Sequence, residues 1–89
     1  MLTRELIINN KSGLHARPAS LWVQTASRFH SKIKIKRGDS VVDGKSILGI
    51  LSLGLSTGSA FELLVEGVDE AEAVVALEKL MSDLENQDR

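Results

Sequence analysis

The chain has 89 residues, enough for a single domain spanning 1–89 with one modest core and too few for two. Eleven Lys and Arg stand against twelve Asp and Glu, so no global field favours nucleic acid or an anionic membrane as partner, and recognition has to be local. There is no cysteine, which excludes disulfides, zinc-thiolate sites and thiol catalysis and fits a reducing cytoplasm.

Met1 to Glu5 carries no basic n-region, apolar core or cleavage site, and no apolar run is long enough to span a bilayer, so a soluble, cytoplasmic protein is expected. Leu2 to Ile8 is rich in β-formers, with Leu6 and Ile8 on one face, and predicts a strand ending in the polar turn Asn9-Asn10-Lys11-Ser12-Gly13. A helix starting at Ala16 follows, with Ala19, Trp22, Val23, Ala26 and Phe29 as its apolar stripe and Gln24, Ser27 and Arg28 on other faces. Lys32-Ile33-Lys34-Ile35-Lys36 alternates as a half-buried strand, and Arg37-Gly38-Asp39 turns it into Ser40 to Asp43, completing a hairpin. Read that way, the adhesion-like tripeptide is a turn, and the three lysines are a solvated strand face without the exposed aromatics of a nucleic-acid site.

Ser46 to Leu53 predicts a serine-capped helix too apolar all round to be solvated on one side in the usual way, so some of its side chains should be exposed. After the Gly54 to Gly58 breaker, Phe61, Leu63 and Val65 alternate with Glu62, Leu64 and Glu66 as a strand. Asp69 and Glu72 then resemble a capping box opening a helix with Val74, Leu77, Met81 and Leu84 buried, and Asn86 to Arg89 is expected to fray. The order β-α-β-β-α-β-α in one small chain implies a two-layer sandwich, a single sheet covered on one face by helices.

Chemistry concentrates in Gly13-Leu14-His15-Ala16-Arg17-Pro18-Ala19. A lone histidine is ordinarily a surface or capping residue, but here a proline tolerated only in the first helical turn and an arginine two residues away stand beside it. The helix N-terminus offers unpartnered N–H groups and partial positive charge. That field and Arg17 favour the neutral imidazole that attacks phosphorus, and then stabilise the negative charge it acquires. No Walker loop, carboxylate pair or metal-ligand cluster accompanies it, so no cofactor or metal is expected and the chain reads as a carrier, not an enzyme. His30, near the end of the first helix, reads as solvated, and Trp22 as core.

The two segments Gly13 to Ala19 and Gly44-Lys45-Ser46-Ile47-Leu48-Gly49, in this order and separation, resemble the histidine-containing phosphocarrier family HPr of the bacterial phosphoenolpyruvate-dependent sugar phosphotransferase system, over nearly the whole chain. The resemblance implies an α+β open-faced β-sandwich, with a four-stranded antiparallel sheet and three helices on one side. It implies that His15 takes a phosphoryl group on Nδ1 from enzyme I and passes it to sugar-specific IIA components. Arg17 and the backbone N–H groups of Ala16 and Arg17 would then hold the phosphate, and His15 should be exposed. Ser46 would be a regulatory phosphorylation site for HPr kinase/phosphorylase, with a catabolite-control transcription factor as a further partner. Its ordinary reading is an N-cap contributing about 1 kcal/mol. Ala16, Ser20, Gln24, Ser27, Ile47, Leu48 and Leu51 would form the docking face of a monomer, while Ile50 and Leu53 complete the core. Leu48 and Leu51 stand where the family often has methionine, Ser12 occupies a variable position, and Trp22 is an unusual core choice. A nitrogen-related phosphocarrier with regulatory partners and a plain interaction domain remain as alternative readings, and a co-repressor acting only through Ser46 would have no need of His15.

Overall fold

A computed structural model describes residues 1–87. The elements are β1 (Leu2–Ile7), α1 (Ala16–Ala26), β2 (Lys32–Arg37), β3 (Ser40–Asp43), α2 (Ile47–Ser52), β4 (Ala60–Glu66) and α3 (Glu70–Gln87). The four strands form one sheet in the order β1-β4-β2-β3, every neighbouring pair antiparallel. β4 thus lies between β1 and β2, and β2 between β3 and β4, so two β-α-β units interleave. The registers Ile7↔Ala60 and Leu2↔Val65 put the end of β1 beside the start of β4, which brings the loop entering α1 next to the loop leaving α2.

Alternation decides which face is covered. Ile33, Ile35, Phe61, Leu63 and Val65 are buried under the helices, while Lys32, Lys34, Lys36, Glu62 and Glu66 lie on the open face. From the helices, Ala19, Trp22, Ala26, Ile50, Ala73, Val74 and Leu77 close the core, and the Trp22 and Phe61 rings meet edge to face with centroids 5.8 Å apart. The two layers and the element order are those expected from periodicity, and the α+β class with a four-stranded antiparallel sheet is the one the family resemblance implies.

Four local expectations change. Ile8 lies past the last residue of β1 but is fully buried, on the side expected for it. α1 ends at Ala26, short of Phe29, because Arg28 N–H and Phe29 N–H bond three residues back to Thr25 O and Ala26 O, tightening the final turn; Phe29 still packs against the core. At the start of α3 the reciprocal side chain is Glu70, which accepts from Gly67 N–H at 3.2 Å, and not Glu72. The Asp69 carboxylate turns away to the α1–β2 corner, accepting from Ser31 Oγ (2.5 Å), Ser31 N–H (2.9 Å) and His30 N–H (2.8 Å). Those bonds, the Ser31 hydroxyl first, hold the Asp69 carboxyl down at about 2. Asn86 and Gln87 belong to α3 instead of fraying, and the rest of the expected tail, Asp88 and Arg89, lies outside the described residues.

Candidate functional site

The loop into α1 is built against the α2–β4 connection. Beyond the β1–β4 register, Ile8 N–H donates to Ser59 O and Gly58 N–H to Ile8 O, each at 2.8 Å, and Leu14 N–H donates to Leu55 O at 2.8 Å. Gly13 has φ +70° and lies so close to this segment that a Cβ there would stand 2.7 Å from Leu55 O and 2.9 Å from Ser56 Cα. Glycine is required on both counts.

His15 is the N-cap of α1, with extended backbone, and its side chain makes no capping hydrogen bond. The first intrahelical bond runs from Ala19 N–H to His15 O at 2.9 Å. Ala16 and Arg17 precede that bond, so their N–H groups have no partner within the helix, and Pro18 brings none. His15, Ala16 and Arg17 are exposed while Pro18 and Ala19 are buried, anchoring the turn. His15 and Arg17 line one cleft of about 350 Å³, whose apolar lining comes from Pro18, Leu21 and Leu84 and whose polar lining comes from Asn10, Ser12 and Gln87. An accessible nucleophile, a guanidinium and a positive helix end therefore share one open space, an arrangement suited to receiving an anionic group and releasing it again.

The second motif behaves as a cap first. Ser46 Oγ accepts from Gly49 N–H at 3.1 Å, and Ser46 is half-buried. The preceding Lys45 donates through Nζ to Phe29 O at 2.8 Å, tying the start of α2 to the end of α1. Beyond the cap, Leu48 is 80% exposed, Ile47 40% and Leu51 37%, whereas Ile50 is fully buried and Leu53 is 9% exposed. From α1, Ala16, Gln24 and Ser27 are exposed and Ser20 half-buried, and α1 packs directly against α2. These residues thus lie on two adjoining helices, α2 starting beside the end of α1 and running back towards the His15 loop. His30 is exposed and Trp22 wholly buried, as expected of each.

Two contributors were invisible to local sequence reading. Asn10, read only as a turn former, is 2% exposed and lines the His15 cleft. Arg37, read as part of a turn, donates through one guanidinium nitrogen to Leu53 O (2.6 Å) and Gly54 O (2.8 Å), satisfying carbonyls at the end of α2. Nothing near Arg37 in the sequence signals its bonds to Leu53 and Gly54. Among the described residues no group of His, Cys, Asp or Glu is arranged to hold a metal ion, and no helix is long and apolar enough to cross a membrane.

The family model for the PTS HPr component phosphorylation site matches residues 2–83. The phosphocarrier protein HPr of Treponema pallidum is 45% identical over 83 residues, 93% of this chain and 94% of that protein. The HPr-like protein Crh of Halalkalibacterium halodurans is 46% identical, covering 86% of this chain and 92% of its own. Among solved structures, HPr from Thermoanaerobacter tengcongensis superposes with a TM-score of 0.92 at 48% identity, covering 97% of each chain. Motif, fold and relatives agree: the chain belongs to the HPr family, whose members are phosphocarriers of the phosphotransferase system and not enzymes.

Proposed function

We propose that this protein accepts a phosphoryl group on His15 from enzyme I, itself charged by phosphoenolpyruvate, and delivers it to the IIA components of sugar permeases. The observation that carries the reading is His15 at an N-cap it does not itself satisfy, exposed and sharing a cleft with Arg17. In the forward step a ring nitrogen, Nδ1 by family resemblance, gives its lone pair to phosphorus. The bond from phosphorus to the donor breaks, its electron pair leaves with the donor, and the other ring nitrogen keeps its proton. Arg17 and the N–H groups of Ala16 and Arg17 hold the phosphoryl oxygens. Because nothing encloses the group, the reverse attack by an acceptor is equally open.

The exposed Ile47, Leu48 and Leu51, with Ala16, Ser20, Gln24 and Ser27, form the docking face for enzyme I and the IIA proteins. Such contacts form and dissolve at each transfer, which suits a small interface and a monomer in the cytoplasm. Ser46 lies between core and docking face, and its phosphorylation by HPr kinase/phosphorylase would add roughly −1.5 to −2 charge at the start of α2 without displacing a core residue. The phosphorylated form would then be available to a catabolite-control transcription factor, a reading supported by the likeness to Crh, the Bacillus subtilis catabolite repression HPr.

The test is incubation with a bacterial enzyme I, magnesium and phosphoenolpyruvate, followed by intact mass. One acid-labile phosphate, absent in His15→Ala, is expected. Transfer only from a nitrogen-type enzyme I would move the protein to the regulatory branch. Failure with both would leave a docking domain whose histidine carries nothing.

A further inference from the structure

The residue that organises the His15 loop is Asn10. Its Nδ2 donates to Gly13 O at 2.8 Å, while its own carbonyl accepts from Gly13 N–H at 3.2 Å and from Thr57 Oγ1 at 2.8 Å. One residue thus grips both polar groups of Gly13 and ties the loop to the α2–β4 connection 47 positions away. The grip ends two residues before His15. Asn10 also lines the cleft that His15 and Arg17 share.

Turn formation alone does not account for this residue. Asn10 is 2% exposed, and its Oδ1 is buried without a hydrogen-bond partner, the only such side-chain oxygen among the described residues. A stranded buried acceptor costs stability, so the fold would gain by dispensing with it. An unsatisfied polar atom kept beside a reactive group is the pattern of a working site whose geometry matters more than local stability.

We infer that Asn10 is a positioning residue for phosphoryl transfer, holding the Gly13-Leu14-His15 backbone so that the imidazole stays in the cleft beside Arg17. The inference rests on the carrier reading of His15. Asn10 acts through the loop and touches neither donor nor acceptor protein, so it governs the transfer step and not docking. A displacement of about 1 Å at a reacting atom lowers a rate on the order of 100-fold.

The experiment is steady-state phosphorylation by enzyme I of the parent, Asn10→Ala, Asn10→Asp and Thr57→Val, with urea unfolding run at the assay temperature. Asn10→Asp keeps the shape and removes the Nδ2 donor; Thr57→Val loosens the same grip from outside the cleft and serves if the Asn10 variants do not fold. A fall in kcat of about 10-fold or more in the Asn10 variants, a smaller fall in Thr57→Val, and an unchanged KM for enzyme I are expected. Folded variants with kcat within twofold of the parent, or with the loss in KM instead, would overturn the inference, whatever the urea midpoints do. A parent protein that takes no phosphate overturns the carrier reading and this one with it, which separates that failure from a failure of Asn10 alone.

Discussion

Leu14 donates its backbone N–H to Leu55 O across 2.8 Å, and the neighbouring Gly13 lies against the same carbonyl with no room for a side chain. The start of α1 is therefore set by a segment more than forty residues later in the chain. Gly13→Ala has to move that segment and adopt positive φ, and it is expected to destabilise the fold by about 2 kcal/mol or more. Urea denaturation measures the loss, and phosphoryl transfer should fall with it even where the variant remains folded.

Arg17 separates stability from function. Its side chain is exposed and lines the His15 cleft, so Arg17→Ala should leave the unfolding midpoint almost unchanged while slowing phosphorylation of His15 by about 10- to 100-fold, the loss of a charge-assisted contact to the transferring group. Arg17→Lys should recover part of the rate, since charge is kept and the bidentate geometry is not. Equal rates for the parent and Arg17→Ala would contradict the proposed phosphate cradle.

At Ser46 two substitutions pull the two readings apart. Ser46→Ala removes the acceptor for Gly49 N–H and should cost about 1 kcal/mol with transfer intact. Ser46→Asp retains a capping oxygen, so stability should stay near the parent's, but its charge beside the exposed Ile47 and Leu48 should slow transfer from enzyme I. Parallel thermal melts and transfer rates settle the matter, and unchanged transfer in Ser46→Asp would remove the case for electrostatic regulation.

Asp69 predicts an acid limb of stability. Its carboxyl titrates at about 2 in the folded protein against an ordinary value of 3.8, because Ser31 Oγ–H and the backbone N–H groups of His30 and Ser31 bond the charged form. A group whose pKa is lowered on folding stabilises above its unfolded value and loses that contribution as pH falls through the folded one. Stability should therefore decline as pH drops from about 4 towards 2, and Asp69→Asn should be weaker near neutrality with a flatter profile over that window. Denaturant midpoints across pH test it, and identical profiles for both proteins would refute it.

Trp22 fills the centre of the core against Phe61, yet its indole N–H is buried with no partner. Trp22→Phe exchanges lost volume for removal of an unsatisfied donor, which costs on the order of 1–3 kcal/mol when stranded. A net change within about 1 kcal/mol is expected for Trp22→Phe, against about 3–5 kcal/mol for Trp22→Ala. Calorimetric unfolding of the two variants distinguishes a packing role from a polar one.

The strands, helices and much of the exposure pattern were readable because each follows from period and local chemistry. Alternation in Lys32 to Lys36 forces one face inward, and the excess of apolar residues after Ser46 resolves into a buried Ile50 and an exposed Leu48. The reading of Asp69 changed because of distant partners. Asp69 looks like a helix cap until the α1–β2 corner offers it three donors, and its neighbour Glu70 then takes the reciprocal role at Gly67.

The site divides in the same way. That His15 stands at a helix start, with Arg17 and a proline in the first turn, follows from seven consecutive residues, since capping, φ restriction and spacing all act over a single turn. What holds that turn in place is long-range. The Gly13 approach to Leu55, the Asn10 grip shared with Thr57, the Arg37 bonds to the end of α2 and the Leu84 wall of the cleft join residues far apart in the chain. Hydrogen bonds between such residues leave no periodic trace in either partner, because they arise only when the strand order β1-β4-β2-β3 brings two loops to one end of the sheet.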